Sequence, residues 1–272
     1  MSAGSPLEQF AVSSEWLRKS SDLRLDASYY NPRVARAIET LQRSGLPTKT
    51  LEQVTERIYI PPRFKRIYVD AAHGTPFLQG SHVVHFQPAD LKYLSNTAHK
   101  DLSRWIIHEG WILVTCSGTI GRVAVTPKQW DGWAASQHIL RIIPAPDSPC
   151  PPGYLYAFLS SPVGQAQLTA QIYGAVVDEL TEGQARSILI PVPKTAKQKE
   201  LVNAINDHAL RAVKRRAEAA ELATRAVAEV GDLLPELPSD MPDEPAGLDE
   251  FERFQRATQK LLQVPKSEIA GQ

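Results

Sequence analysis

Two short segments hold side-chain types that could perform catalysis. Asp90 and Lys92 are separated by one residue, which matches the last half of an acid-x-Lys nuclease pattern, but no clear Pro-Asp pair precedes them. Cys116 falls at the end of a predicted strand, and His138 is a possible base for its thiol. The acid-x-Lys tripeptide is common by chance, and a cysteine in a strand is usually a small buried apolar residue. We therefore expect no catalytic residues.

The chain also lacks motifs that hold common cofactors and metals. It contains no G-x-x-x-x-G-K-[ST] phosphate loop and no Asp/Asn-Pro-Pro-Tyr/Phe signature of amino-methyltransferases. Its seven histidines show no zinc-protease spacing, and its two cysteines have no metal-ligand spacing. The sequence thus predicts neither a cofactor nor a metal site.

Three cations surround an aromatic residue directly after a pair of prolines. They are Arg63, Lys65 and Arg66, with Phe64 among them. A loop of this composition can clamp phosphates and extend a side chain towards base edges. The alternative is a solvated surface turn.

Two other segments carry amides, hydroxyls and imidazoles. Gln79, Ser81 and His82 form one group, and Ser136, Gln137 and His138 form the other. Such groups can read adenine or guanine edges in a major groove. They can equally be satisfied within a sheet, and the sequence leaves both interpretations open.

Short strands would position these groups. Apolar runs at Trp111–Thr115 and Arg122–Val125 predict a hairpin whose turn contains Gly118 and Gly121, two residues that permit positive φ. Short β-rich runs alternate with turn residues between positions 51 and 144. The further runs are 67–69, 106–107 and 139–143, and a proline-rich loop follows at 144–153.

Helices flank this β-rich region. Their predicted bounds are 31–43, 154–160 and 163–172, and Pro162 separates the last two. The first is amphipathic, with Val34, Ile38 and Leu41 on one face.

A much longer helix follows Thr195, which has capping-box spacing to Gln198. No helix breaker occurs before Gly231, so the sequence predicts about 35 residues, or roughly 53 Å, of helix. Its seam is rich in alanine and buries little area, which favours a partner helix over a helix folded back on its own domain. The seam comprises Val202, Ile205, Ala209, Ala212, Arg216, Ala219, Ala223, Ala226, Val230 and Leu233.

Several of these segments follow one another in a diagnostic order. They are Glu109–Val125, Tyr173–Leu180, Ile188–Pro193 and Lys197–Ile205. The order resembles the target recognition domain of type I restriction-modification specificity subunits, over roughly residues 16–230. In that family a G-D-I-L-x-x-x-S-G-x-I-G-R hairpin precedes a glycine-rich loop, and an I-P-x-P-P-x-x-E-Q-x-x-I junction enters a spacer helix. Two departures are Trp111, where the family usually has Asp, and Lys197, where it usually has an acid.

The resemblance implies a non-catalytic DNA-specificity subunit. Such a subunit reads double-stranded DNA and recruits a methyltransferase subunit, and a restriction subunit is a further possible partner. Family members commonly hold two recognition domains and read a bipartite site, so a chain with one looks like a half-subunit that forms a homodimer through its long helix. The candidate DNA-contacting residues are Arg63, Lys65, Arg66, Gln79, Ser81, His82, Ser117, Thr119, Arg122, Gln137, His138 and Tyr173. The hairpin-turn residues Ser117, Thr119 and Arg122 can instead have a structural role, and Tyr173 can belong to a helix C-cap.

Composition is compatible with this interpretation. The formal net charge is zero, but residues 235–272 hold eight acids and four bases, so the rest of the chain carries +4. This mild excess predicts modest non-specific affinity for DNA. Sparse cysteines predict a reduced, cytoplasmic setting, and no apolar run approaches the roughly 20 residues that span a bilayer.

The predicted fold class is α+β. We expect one target recognition domain with a twisted mixed or antiparallel sheet and flanking helices, then a long spacer helix of coiled-coil type and a flexible tail. The predicted divisions are a disordered leader (1–15), the recognition domain (16–194), the spacer and dimerisation helix (195–234), an acidic proline-rich linker (235–250) and a short amphipathic helix with a tail (251–272). Two other classes stay open: a nuclease or other enzyme that carries a recognition domain, and a protein-interaction module of a defence locus that no longer reads DNA.

Overall fold

The computed structural model describes residues 14, 32–85, 88, 90–169 and 179–233, with backbone only for 232 and 233. The chain divides into two compact units, residues 1–224 and 225–272, and every described strand belongs to the first. The predicted leader, apart from residue 14, lies outside the described residues, as do most of the loop at Tyr173–Leu180, the acidic linker and the last helix.

Ten strands and six α-helices are described. The strands are β1 Thr48–Thr50, β2 Thr55–Tyr59, β3 Tyr68–Val69, β4 Gly74–Leu78, β5 Lys92–Ser95, β6 Ile112–Thr115, β7 Val123–Val125, β8 Ala134–Ala135, β9 Ile139–Pro144 and β10 Leu189–Pro191. The helices are α1 Pro32–Arg43, α2 Leu51–Val54, α3 Pro152–Ser160, α4 Pro162–Leu168, α5 Glu182–Arg186 and α6 Ala196–Leu233. Three 3-10 turns cover Ala71–His73, Gly80–Val84 and Lys128–Trp130.

The strands form two four-stranded sheets and one two-stranded sheet, where the sequence predicted a single sheet. The first sheet has the order β2–β9–β6–β7 and is antiparallel throughout. The second has the order β3–β5–β4–β8 and is mixed, because β4 and β8 run parallel. β1 and β10 pair antiparallel, which joins the chain before the β-rich region to the chain after it. The fold is therefore α+β, as predicted.

The first sheet is buried on both faces. Successive side chains of a strand point to opposite faces, and in β6 Ile112 and Val114 pack into a core with the helices while Leu113 packs into a second core. That second core contains Leu78 of β4 and Ala135 of β8, so it lies between the two four-stranded sheets. Because both faces are covered, every residue of this strand is buried, including the polar Thr115.

The predicted hairpin is confirmed. β6 and β7 pair antiparallel, with Ile112 opposite Val125. Gly118 and Gly121 in the turn have φ of 70° and 85°, a region that is unfavourable for residues with a Cβ. The short runs at 67–69 and 139–143 also form strands, whereas 106–107 contributes only an isolated bridge from Ile106 to Ala134.

The helix pair after the proline-rich loop is also confirmed in outline. α3 ends at Ser160, and Ser161 caps α4 by accepting a hydrogen bond from the Gly164 amide. Pro162 opens α4, where its missing N–H costs nothing. The predicted end of this helix lies outside the described residues.

α6 has the predicted start and length. Gln198 donates its amide N–H to Thr195 Oγ1, and its side chain accepts from the Thr195 amide, which forms the capping box. The helix contains 38 residues and passes through Gly231. No helix in the described part of the chain combines the length and apolarity needed to cross a membrane.

The packing of α6 corrects the expected seam. Val202 is buried as expected, but farther along Val213 and Ala217 are buried while Ala212 and Ala219 are exposed. An α-helix has 3.6 residues per turn, so a seam spaced by 3.5 rotates away from the surface that it first contacts. This part of α6 packs on its own domain, which was the less favoured alternative. It leaves Ala212, Ala219 and Ala223 of the predicted seam exposed.

Candidate nucleic-acid interface

The segment between β8 and β9 carries Gln137 and His138, and both meet residues from distant parts of the chain. Arg66 Nη2 donates to Gln137 Oε1 over 2.8 Å. The Gln137 amide nitrogen lies 3.1 Å from His138 Nε2, and His138 Nδ1 lies 2.5 Å from Ser117 Oγ. A continuous hydrogen-bonded line therefore joins Arg66, Gln137, His138 and Ser117, which we call the polar line.

The Arg66 guanidinium determines the direction of every hydrogen bond in the polar line. Guanidinium groups only donate, so Gln137 Oε1 faces Arg66 and the Gln137 amide nitrogen donates to His138 Nε2. A neutral imidazole then carries its proton on Nδ1 and donates it to Ser117 Oγ. The Ser117 hydroxyl proton is left for a further acceptor. All four side chains are half-buried, so the line reaches the surface while its geometry is held from within.

Arg63 and Lys65 lie in the same loop as Arg66 but point into solvent. Both are exposed, and within the described part of the chain neither has an ion-pair partner. Arg66 differs, because its guanidinium also lies over the Phe77 ring, 5.2 Å from the centroid. Of the three predicted cations, two are thus available to phosphates and one is held inside the polar line.

Phe64 anchors this loop. Its ring lies 4.5 Å from the Trp105 ring and 6.3 Å from the Phe77 ring, centroid to centroid. Trp105 Nε1 also donates to the Pro62 carbonyl over 3.0 Å. Edge and tilted ring contacts of this kind stabilise a fixed backbone path, so Arg63 and Lys65 are presented from an anchored loop.

The group at Gln79, Ser81 and His82 is only partly at the surface. Ser81 is exposed and Gln79 is half-buried, but His82 is 9% exposed, and its Nδ1 accepts from the Gln79 amide over 3.3 Å. Burial, and then the nearby His85, lower the pKa of His82. His82 is therefore a buried residue held within its own turn, and its contact with base edges stays a prediction. The Ser136 amide donates to the Leu78 carbonyl, so the start of this group lies beside the polar line.

The hairpin turn is shaped mainly by its own hydrogen bonds. Thr115 Oγ1 donates to the Thr119 carbonyl and accepts from the Arg122 amide over 3.0 Å. Thr119 is exposed and Arg122 half-buried, so both stay accessible, but the structure brings only Ser117 of this turn into the polar line. Tyr173 lies outside the described residues.

The geometry removes the catalytic candidate at Cys116. Its side chain is 1% exposed, and burial followed by the nearby Glu179 raises its pKa to about 12. The thiol is therefore protonated at neutral pH, and a thiol is a far weaker nucleophile than a thiolate. The proposed base His138 instead contacts Ser117 and Gln137.

Asp90 and Lys92, the acid-x-Lys candidate, likewise do not form a catalytic pair. Asp90 is an exposed turn residue with φ of 56°, and the Lys92 ammonium lies over the Tyr68 ring, 5.2 Å from its centroid. Among the described residues no three His, Cys, Asp or Glu side chains are grouped so that they could hold a metal ion.

Arg141 is the residue that sequence reasoning missed. It is fully buried in β9, and its guanidinium donates to the carbonyls of Ser136 and Ile139, on the two sides of Gln137 and His138. The available signal was an arginine inside the apolar run Ile139–Ile143.

Comparison with known proteins gives a concordant result. The sequence matches the type I restriction modification DNA specificity domain over residues 79–219, just over half of the chain. No curated protein matches it significantly. Solved structures with a similar fold include the HsdS subunit from Thermoanaerobacter tengcongensis, with 18% identity, 73% of this chain and 52% of that chain covered, and a TM-score of 0.42. The type I S subunit from M. genitalium shares 12% identity over 82% of this chain and 55% of its own, with a TM-score of 0.46.

A third similar structure comes from work on complex assembly and conformational transition of a type I R-M system. It shares 14% identity over 81% of this chain and 53% of its own, with a TM-score of 0.44. The chain thus spans about half the length of these structures. The match over residues 79–219 includes β6, β7, β10 and the first part of α6, which lie in the segments that carried the resemblance. The chain belongs to the type I restriction-modification DNA specificity domain family.

Proposed function

We propose that this chain is the sequence-recognition component of a type I-like restriction-modification or related phage-defence system. It reads one half of a bipartite DNA site and docks methyltransferase subunits, with a restriction subunit as a further partner. Specificity subunits are recognition components without catalytic activity of their own. The observation that carries the proposal is the polar line, because it places hydrogen-bonding groups from three distant segments beside two exposed cations.

The two kinds of group have different tasks. Cations at phosphates position a protein on a duplex without reading its sequence, whereas amides, hydroxyls and imidazoles discriminate base edges. Arg63 and Lys65 suit the first task because they are exposed. Gln137 and Ser117 suit the second because the polar line fixes which of their atoms donate and accept.

The direct test uses the chain together with a methyltransferase subunit encoded beside it. DNA methylated by the pair is sequenced for modified bases, with each protein alone as a control. We expect methylation at one defined motif only when both proteins are present. Gln137→Ala should relax the motif, and the matched surface change Gln42→Ala in α1 should not. Methylation by this chain alone, or assembly with the methyltransferase without any DNA binding, would contradict the proposal.

The homodimer is the second part of the proposal. Ala212, Ala219 and Ala223 are exposed on α6, and their small side chains allow close approach of a second helix. Two copies paired antiparallel about a two-fold axis would present one recognition domain at each end, and would read an inverted repeat with a gap set by the helices.

Charge substitution tests this pairing without touching the domain core. Replacing all three alanines by Glu should convert the dimer to a monomer, as measured by light scattering. A control with Asn203→Glu, Ala204→Glu and Thr224→Glu adds the same charge at exposed positions off this stripe and should stay dimeric. A wild-type chain that is monomeric at all concentrations with its methyltransferase bound, or an undivided non-palindromic site, would rule the pairing out.

A further inference from the structure

Arg141 is a buried charge in an unusual setting. It is 0% exposed, and no other Lys, Arg, Asp or Glu among the described residues is buried. Its side chain occupies the face of β9 that is turned towards the second sheet, where its neighbours in register are Tyr59 and Leu113. An unpaired guanidinium in such a site is costly, so its retention calls for a compensating set of contacts.

Those contacts are all backbone carbonyls. Nη1 donates to Ser136 over 2.7 Å and also to Ile139, while Nη2 donates to Ala135 over 2.5 Å and to Trp105 over 3.3 Å. No carboxylate of the described residues pairs with it, and its Nε has no hydrogen-bond partner there. Desolvation lowers the pKa of Arg141 to about 10, which leaves it charged at neutral pH. Among the described residues, the charge is therefore compensated by carbonyl dipoles.

The positions of the acceptors explain what the charge does. Three of the four carbonyls belong to Ala135, Ser136 and Ile139, which bracket Gln137 and His138. The fourth belongs to Trp105, whose ring contacts Phe64 in the loop that carries Arg63 and Lys65. One guanidinium thus ties the start and end of the segment 136–138 to the residue that supports the cations.

Resting on the proposed function, we propose that Arg141 is a positioning residue for DNA reading, which sets the path of the segment that presents Gln137 and His138 to bases. It touches no DNA itself. Five N–H groups in a planar fork can satisfy several carbonyls at once, whereas a lysine ammonium offers three donors from one point. Without the fork, buried carbonyls lose their donors and the segment loses the single conformation that orders the polar line.

The test compares Arg141→Lys and Arg141→Met with wild type in the complex with the methyltransferase subunit. The probes are a duplex with the mapped methylation motif and the same duplex with one base pair of the motif changed. We expect the affinity ratio between the two duplexes to fall about tenfold or more in Arg141→Met and by less in Arg141→Lys. Affinity for the changed duplex and its salt dependence should stay as in wild type, because Arg63 and Lys65 are untouched.

Two controls separate positioning from general damage. Arg43→Lys on the surface of α1 should leave the ratio unchanged. The second control measures hydrogen exchange at the Cys116 amide, which donates to the His138 carbonyl over 2.9 Å. This amide should exchange faster in Arg141→Lys, while the amides of α3 should keep wild-type protection. If Arg141→Met does not fold, Arg141→Lys provides the same comparison.

The outcomes are distinguishable. A wild-type complex that binds both duplexes equally refutes the proposed function. A wild-type complex that discriminates, together with a folded Arg141→Lys that keeps both the wild-type ratio and the wild-type exchange rate at Cys116, refutes the role of Arg141 alone.

Discussion

Removal of the two exposed cations, Arg63 and Lys65, should flatten the salt dependence of DNA binding. Each cation at a phosphate releases counterions and contributes about 0.9 to the slope of log K against log salt concentration. Because both side chains point into solvent from an anchored loop, the double alanine variant should lose about 1.8 units of slope. Between 50 and 200 mM salt, wild-type affinity should therefore fall about twelvefold more than that of the variant.

Arg66 provides an internal contrast. Its guanidinium donates to Gln137 and lies over Phe77, so it is committed to the protein. Arg66→Ala should disorder the polar line and weaken sequence discrimination, with less than one unit of slope lost. The comparison would show that two cations of one loop act on phosphates and the third acts on base reading.

Fluorescence anisotropy of the methyltransferase complex with a duplex, at five or more salt concentrations, measures these slopes. The control variant Arg43→Ala with Lys49→Ala removes the same two residue types from exposed positions on α1 and β1 and should keep the wild-type slope. An unchanged slope in the variant lacking Arg63 and Lys65, in a complex that still methylates its motif, would show that the DNA-facing surface lies elsewhere.

The remaining predictions concern the framework. Leu113→Ala opens a cavity between the two sheets and should lower the free energy of unfolding, measured by urea titration, by about 2–5 kcal/mol. The control Leu222→Ala changes a side chain that is 61% exposed and should lower it by less than about 0.5 kcal/mol; equal losses would contradict the assigned core. Gly153→Ala places a Cβ 2.5 Å from the Asn206 carbonyl and should loosen α6 from α3, so that amides of α6 exchange hydrogen faster; in the control Gly183→Ala the added Cβ meets nothing within 4 Å and exchange should be unchanged. Full protection of α6 in Gly153→Ala would mean that α6 does not pack here. Burial raises the pKa of Cys116 to about 12 and that of Cys150 to about 11, so above the usual thiol pKa of about 9 the unfolded chain loses protons that the folded chain retains. The free energy of unfolding should therefore fall from pH 9 upward, and it should fall less steeply after valine replaces both cysteines.

Local sequence was sufficient where a structure depends on neighbouring residues. Gly118 and Gly121 determined the β6–β7 turn because few other residues adopt positive φ at low cost. Thr195 and Gln198 determined the start of α6 because the capping box closes within four residues. Pro162 marked the break between α3 and α4 for an equally local reason. The family resemblance rested on the order of four segments, among them this hairpin and the start of α6, and the domain match confirmed it.

Only the tertiary structure decided which residues meet and which face of a helix is buried. The polar line joins Arg66 to Gln137 across 71 positions and Ser117 to His138 across 21, and no periodicity in the sequence encodes those pairings. The sequence of α6 contains two apolar stripes, and the shape of the domain beneath it selected Val213 over Ala212. His82 and Arg141 show the same limit, since the burial of a polar side chain depends on partners from distant strands. Composition and spacing describe what a side chain can do, and packing decides whether it faces solvent or the core.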